Sequence, residues 1–255
     1  MHFSLLTNVY WAAGTGVTLV LLFVLLWRGR WRTFPVFTVW LAFLTVKTVV
    51  LFSIYMHGSR NLYAAVWVAA SWVDFILQLG VVFEIARIVL RPTGTWVRDA
   101  RTQFVSLGMI VAAVSAGLAW WVSPPAWSDR YAWQIRGDLF TSLVILELFV
   151  VMGLTANRLG LGWRSHVMAI GQGLTAWSAI MVIRIAVESY LGTRRFYIQM
   201  EQVRQVAYPA AALWMAIQLW RQEPERGPIS ADLQEYILAL HRRVEYDLRR
   251  LDVRN

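Results

Sequence analysis

Seven stretches of this chain, roughly 5–27, 34–56, 62–86, 104–123, 137–157, 166–190 and 199–220, are long, apolar and poor in charge. A hydrocarbon core of ~30 Å is crossed by about 20 mostly apolar helical residues. That match predicts an all-α fold: a polytopic membrane protein whose residues 1–220 form a seven-transmembrane-helix bundle. Residues 221–255 read as a linker and one further helix. No basic segment precedes the first stretch and no small-residue cleavage site follows it, so it reads as a retained span, not a signal peptide.

Composition agrees. Of the 255 residues 58% are hydrophobic, too many for an ordinary soluble domain. Fifteen tryptophans suit a protein whose indoles sit at headgroup level. Cysteine is absent, which excludes disulfides, thiolate catalysis and cysteine-ligated metals. The net charge of +9 would suit nucleic acid, but the arginines gather between the apolar runs, as in membrane proteins. The lipid bilayer is the expected partner and nucleic acid is not. Abundant Arg, Ala and Trp with scarce Lys resemble the usage of a GC-rich bacterial genome, so the expected location is the bacterial inner (plasma) membrane, crossed several times.

The loops set an orientation. Arg28, Arg30, Arg32, Arg91, Arg98, Arg101, Arg158 and Arg164 fall in one set of alternate loops. The other set holds Arg60, Arg130, Arg136, Arg194 and Arg195. By the positive-inside bias the N-terminus is outside and the C-terminus cytoplasmic. Trp27, Trp31, Trp96, Trp163 and Trp220 then lie at the inner boundary, and Trp120, Trp121, Trp127 and Trp133 at the outer one. Gly171 and Thr175, one turn apart, predict close packing of the sixth helix. Pro209 predicts a bend in the seventh.

Seven helices in this orientation resemble rhodopsin-like proteins in architecture. A basic loop leading into an aromatic-rich second helix, WRTFPVFTVWLAF (31–43), resembles uncharacterised bacterial seven-helix integral membrane proteins. A retinal protein would carry its Schiff-base lysine on the last helix. QVRQVAYPAAALWMAIQLW (202–220) has none.

Charges inside the spans are the candidate site, because each needs a partner or a wet cavity. Lys47 is the chain's single lysine. It comes out about 3 Å outward of the midplane, with Asp74 on the third helix about 1–2 Å inward, so the two can pair. Ser71, Asp74 and Gln78 share a face, with Trp67 a turn above. Arg184 and Glu188 are spaced i,i+4 on the sixth helix, and Glu201, Arg204 and Tyr208 follow one face of the seventh. Three cations and three anions predict one polar cavity opening outward. Glu147, in an apolar setting near the middle of the fifth helix, reads as a proton-relay group or a neutral core carboxyl.

The four histidines lack ligand spacing, and no P-loop, GxSxG elbow or HExxH is present. No metal, cofactor or enzymatic activity is expected. In the tail, Ser230 caps a helix with Leu233, Ile237, Leu240, Val244, Leu248 and Leu251 on one stripe. Its charge-balanced polar face points to a protein contact through 230–251, either a second copy or a cytoplasmic partner. The function expected is a receptor or sensor with an outward pocket. The alternatives are a small transporter or proton-linked channel using Lys47, Asp74 and Glu147, against which it counts that only Glu84, Arg87 and Gln172 continue a polar route toward the cytoplasmic side, and a structural or assembly protein.

Overall fold

The structure, a computed structural model, describes residues 5–90, 98–122, 129–156, 165–191 and 193–222, with the single positions 235, 238 and 239. Apart from those positions, the tail helix expected over 230–251 lies outside the described residues. So do Arg91, Trp96, Trp127, Arg158, Trp163 and Arg164 of the loops. The described residues form seven α-helices: α1 (Leu5–Trp27), α2 (Pro35–His57), α3 (Arg60–Leu90), α4 (Arg98–Trp121), α5 (Asp129–Ala156), α6 (His166–Leu191) and α7 (Thr193–Trp220).

Three helical stretches are long and apolar enough to cross a membrane: Pro35–His57, Asn61–Ile88 and His166–Tyr190. Trp11–Trp27 and Gly108–Trp121 are shorter apolar stretches. Along α2, Val39, Val46, Val49 and Met56 are exposed, and along α3, Trp72, Ile76 and Phe83. Spacings of three, four and seven put each set on one face. An apolar face turned away from the bundle inverts the pattern of a water-soluble helix and suits a lipid solvent.

Short-range chemistry sets the α1–α2 turn. Gly29 ends α1 in the left-handed region (φ 67°), where glycine carries no Cβ penalty. A 3-10 turn, Arg30–Arg32, follows, and α2 opens with Pro35 in its first turn. Proline there has the right φ and lacks a donor that would be orphaned anyway. Phe34, in the cap position, offers no side-chain bond. Glu84 of α3 supplies it, accepting from Val36 N at 2.8 Å and Phe37 N at 2.9 Å.

Around the bundle, α1 packs on α2 and α7, α2 on α3, α3 on α5, α5 on α6, and α6 on α7. The ring skips α4, which packs against α5. There Arg136 stacks on Trp120 at 4.7 Å and Trp133 at 5.8 Å. The bonds Glu84–Val36 and Lys47–Asp74 show α2 and α3 to be antiparallel. Arg184–Glu201 and His166–Arg221 show the same for α6 and α7. Gly173 lies against Met215, where an added Cβ would come within 2.5 Å of the methionine side chain.

The bundle has two unlike halves. Toward the ends Trp27, Pro35, His166 and Trp220 it is filled by apolar side chains, among them Leu25, Phe37, Val81, Met168, Ile170 and Leu219, all fully buried. Lipid tails are as apolar as these groups, so close packing rather than escape from water holds this half together. From mid-bundle to the end where α1 starts, polar and charged side chains line the interior beside a smaller apolar cluster around Leu139 and Ile185.

Candidate functional site

A cavity of about 510 Å3 occupies that polar half. Six helices line it, from Thr18 on α1 to Tyr208 on α7, and none of the described side chains of α4 does. Its size is that of a small-molecule pocket.

At its middle, α2 and α3 bring Lys47 and Asp74 together: Nζ donates to Oδ2 at 2.8 Å. The other carboxylate oxygen accepts from Trp40 Nε1 at 2.7 Å and Gln78 Nε2 at 3.0 Å. Trp40 and Lys47 stand two turns apart on one face of α2, and Asp74 and Gln78 one turn apart on α3. The side chains of Lys47 and Asp74 are 17% and 14% exposed, so the charges meet at a cavity wall. Trp40, unremarked in the sequence, is the third donor that completes the carboxylate's shell.

Between α6 and α7 four charges form a chain. Arg184 Nε donates to Glu188 Oε1 at 2.8 Å, and its Nη1 stands 3.5 Å from Glu201 Oε2. Arg204 holds Glu201 with two nitrogens, Nε reaching Oε2 at 2.9 Å and Nη2 bonding Oε1. Gln205 Nε2 donates to the same Oε1 at 3.2 Å. The two helix-local pairs expected from i,i+3 and i,i+4 spacing are therefore joined across the helix interface. Tyr208 bonds Thr18 of α1, the oxygens 2.8 Å apart. Thr18 gives its proton to Gly14 O at 2.9 Å, so the tyrosine hydroxyl is the donor between them. The ring of Trp177 meets that of Tyr208 edge-on, centroids 5.3 Å apart. Pro209 sits inside a continuous α7 and removes the donor that Gln205's carbonyl would otherwise have.

From α5 come Gln134, Asp138 and Ser142, one turn apart and all at the wall. Gln134 Nε2 donates to Ser71 Oγ at 2.9 Å. Gly137 lets α5 close on α3: a Cβ there would stand 2.6 Å from Phe75 Cε2. Asp138 is not among the residues the sequence singles out, because a fifth span opening at 137 puts it at a boundary. The helix in fact starts at Asp129, carrying Asp138 well inside. The signal that could have found it is the i−4/i+4 pair of polar residues on the same face.

Glu147 is half-buried and is not part of the cavity wall. It lies more than two turns beyond Asp138 along α5, so the cavity and this carboxyl, read as a relay group or a neutral core group, are separate. Glu84 is 7% exposed and both its oxygens are taken by the α2 cap, which gives it a structural task. Among the described residues no three His, Asp or Glu side chains gather as metal ligands. No family model, curated protein or solved structure matches the chain.

Proposed function

We propose that the chain is a seven-span bacterial inner-membrane protein, N-terminus outside and C-terminus cytoplasmic, acting as a receptor or sensor. Its ligand site is the six-helix cavity, opening outward. The amphipathic segment 230–251 is its contact with a second copy or a cytoplasmic partner, and deleting 230–255 should change the oligomeric state on gel filtration while the membrane domain stays inserted. Unchanged assembly and partner capture would rule that contact out. No bond-making chemistry is assigned to it.

The observation that carries this reading is the contrast between the halves of the bundle. Charged and aromatic side chains converge at the end where α1 starts, and a packed apolar core fills the other. A ligand can enter such a cavity and bias helix packing without passing through. A transporter needs a polar route onward, and Glu84, the best-placed carboxylate for one, is spent on the α2 amides. A purely structural role would call for the same ion pairs without the space between them.

The chain's lack of cysteine makes a clean test available. A single Thr48→Cys at the cavity wall should react with a membrane-impermeant maleimide added outside intact cells. Met215→Cys, in the apolar half, should react from neither side. Labelling of Thr48→Cys only from the cytoplasmic side would reverse the orientation, and labelling of Met215→Cys would describe a through-route.

A further inference from the structure

The cavity's charges cancel in pairs with one left over. Lys47 is held by Asp74, Arg184 by Glu188, and Arg204 by Glu201. Asp138 feels the charges of Asp74, Lys47, Arg184 and Arg204, but it makes no hydrogen bond or ion pair with any described residue. A membrane-embedded carboxylate needs a counter-charge or a proton, and each cation in this cavity already sits on another anion.

A second acceptor stands beside it. Ser71 gives its hydroxyl proton to Trp67 O at 2.9 Å, so it must accept from the Gln134 amide nitrogen, which fixes the orientation of that amide. Gln134 Oε1 is thereby left buried with no donor. One turn of α5 thus presents a carboxylate and an amide oxygen, both short of donors. The rings of Trp67, Trp177, Tyr63 and Phe75 share the same cavity. Acceptors of this kind amid aromatic faces match the needs of an ammonium group: a negative counter-charge, partners for its N–H bonds, and π-surfaces for its alkyl skirt.

We propose that the cavity binds a small organic cation, a protonated primary or secondary amine. Its N–H groups bond Asp138 and Gln134 Oε1, and its apolar part lies among Trp67, Trp177 and Tyr63. This rests on the reading of the cavity as an outward-opening ligand site and names the chemistry of its ligand.

The test uses the full chain in lipid nanodiscs and three probes of one shape: phenethylamine, 2-phenylethanol and 3-phenylpropionate. Titration calorimetry at neutral pH should give saturable binding of the amine and at least roughly tenfold weaker binding of the other two. Asp138→Asn, nearly isosteric, should lower amine affinity by roughly ten- to a hundredfold, and Asp138→Glu should retain more of it. Should Asp138→Asn unfold, Gln134→Leu gives a second measure, with a loss of roughly three- to tenfold. Propionate binding as tightly as the amine, or amine affinity indifferent to both Asp138→Asn and Gln134→Leu, overturns the proposal. So does the absence of amine binding. Thr48→Cys labelling of intact cells separates the cases: a cavity labelled from outside that ignores the amine defeats the cation assignment alone, and one never labelled from outside defeats the cavity reading as well.

Discussion

Asp74 accepts three hydrogen bonds, from an ammonium, an indole and an amide, and that shell is what makes a charge tolerable at mid-helix. A lysine suits the place because its compact ammonium carries three freely rotating donors, where a guanidinium presents a rigid fork of five. Taking away one member strands the other. Lys47→Met or Asp74→Leu should each cost about 3–5 kcal/mol of stability, while the double substitution should recover part of the loss. Thermal unfolding in detergent decides this, and strictly additive losses would mean that the two residues do not depend on one another. The pairing could be read from sequence because depth follows from residue count. Trp40's part could not, since a tryptophan in an apolar helix looks the same whether its N–H meets a carboxylate or lipid. Asp138 was lost for a different reason: a span boundary drawn at the first apolar residue discards polar turns that belong to the helix.

At the scale of elements, the clearest dependence is that of α2 on α3. Helix starts usually satisfy their own amides with a local Ser, Thr, Asp or Asn, but Phe34 stands in that place and Glu84 reaches over from the next helix. The i→i+48 distance hides this from any local reading, in which Glu84 is only a candidate polar group on the cytoplasmic side. Glu84→Leu would leave the Val36 and Phe37 N–H groups without an acceptor and should cost about 1–3 kcal/mol. Wild-type thermal stability in Glu84→Leu would deny the cap. Helix existence was legible because apolar run length is a property of single segments, and most boundaries fall within a few residues of those expected; α4, α5 and α7 start earlier because their first turns are polar. Helix neighbourhood was not legible. Where α3 meets α5, Gly137 accommodates Phe75, a contact with no signature in either segment alone.

For the whole molecule, the account turns on a division: a polar cavity in one half of the bundle and a packed apolar core in the other. Sequence indicated the charges and one cavity for them, but not the share that α1 and α5 take in its wall, because converging six helices is a tertiary fact. The core likewise shows in the sequence only as apolar residues, indistinguishable from those facing lipid. The chain carries natural reporters on both sides of the division. Trp177 and Met181 line the cavity, whereas Met168 and Met215 are 0% and 4% exposed within the apolar half. Hydroxyl-radical footprinting of the unmodified protein in nanodiscs, read by mass spectrometry, compares them directly. The account predicts oxidation of Trp177 and Met181 and protection of Met168 and Met215. Equal oxidation of all four, or protection of Trp177 and Met181, would contradict it.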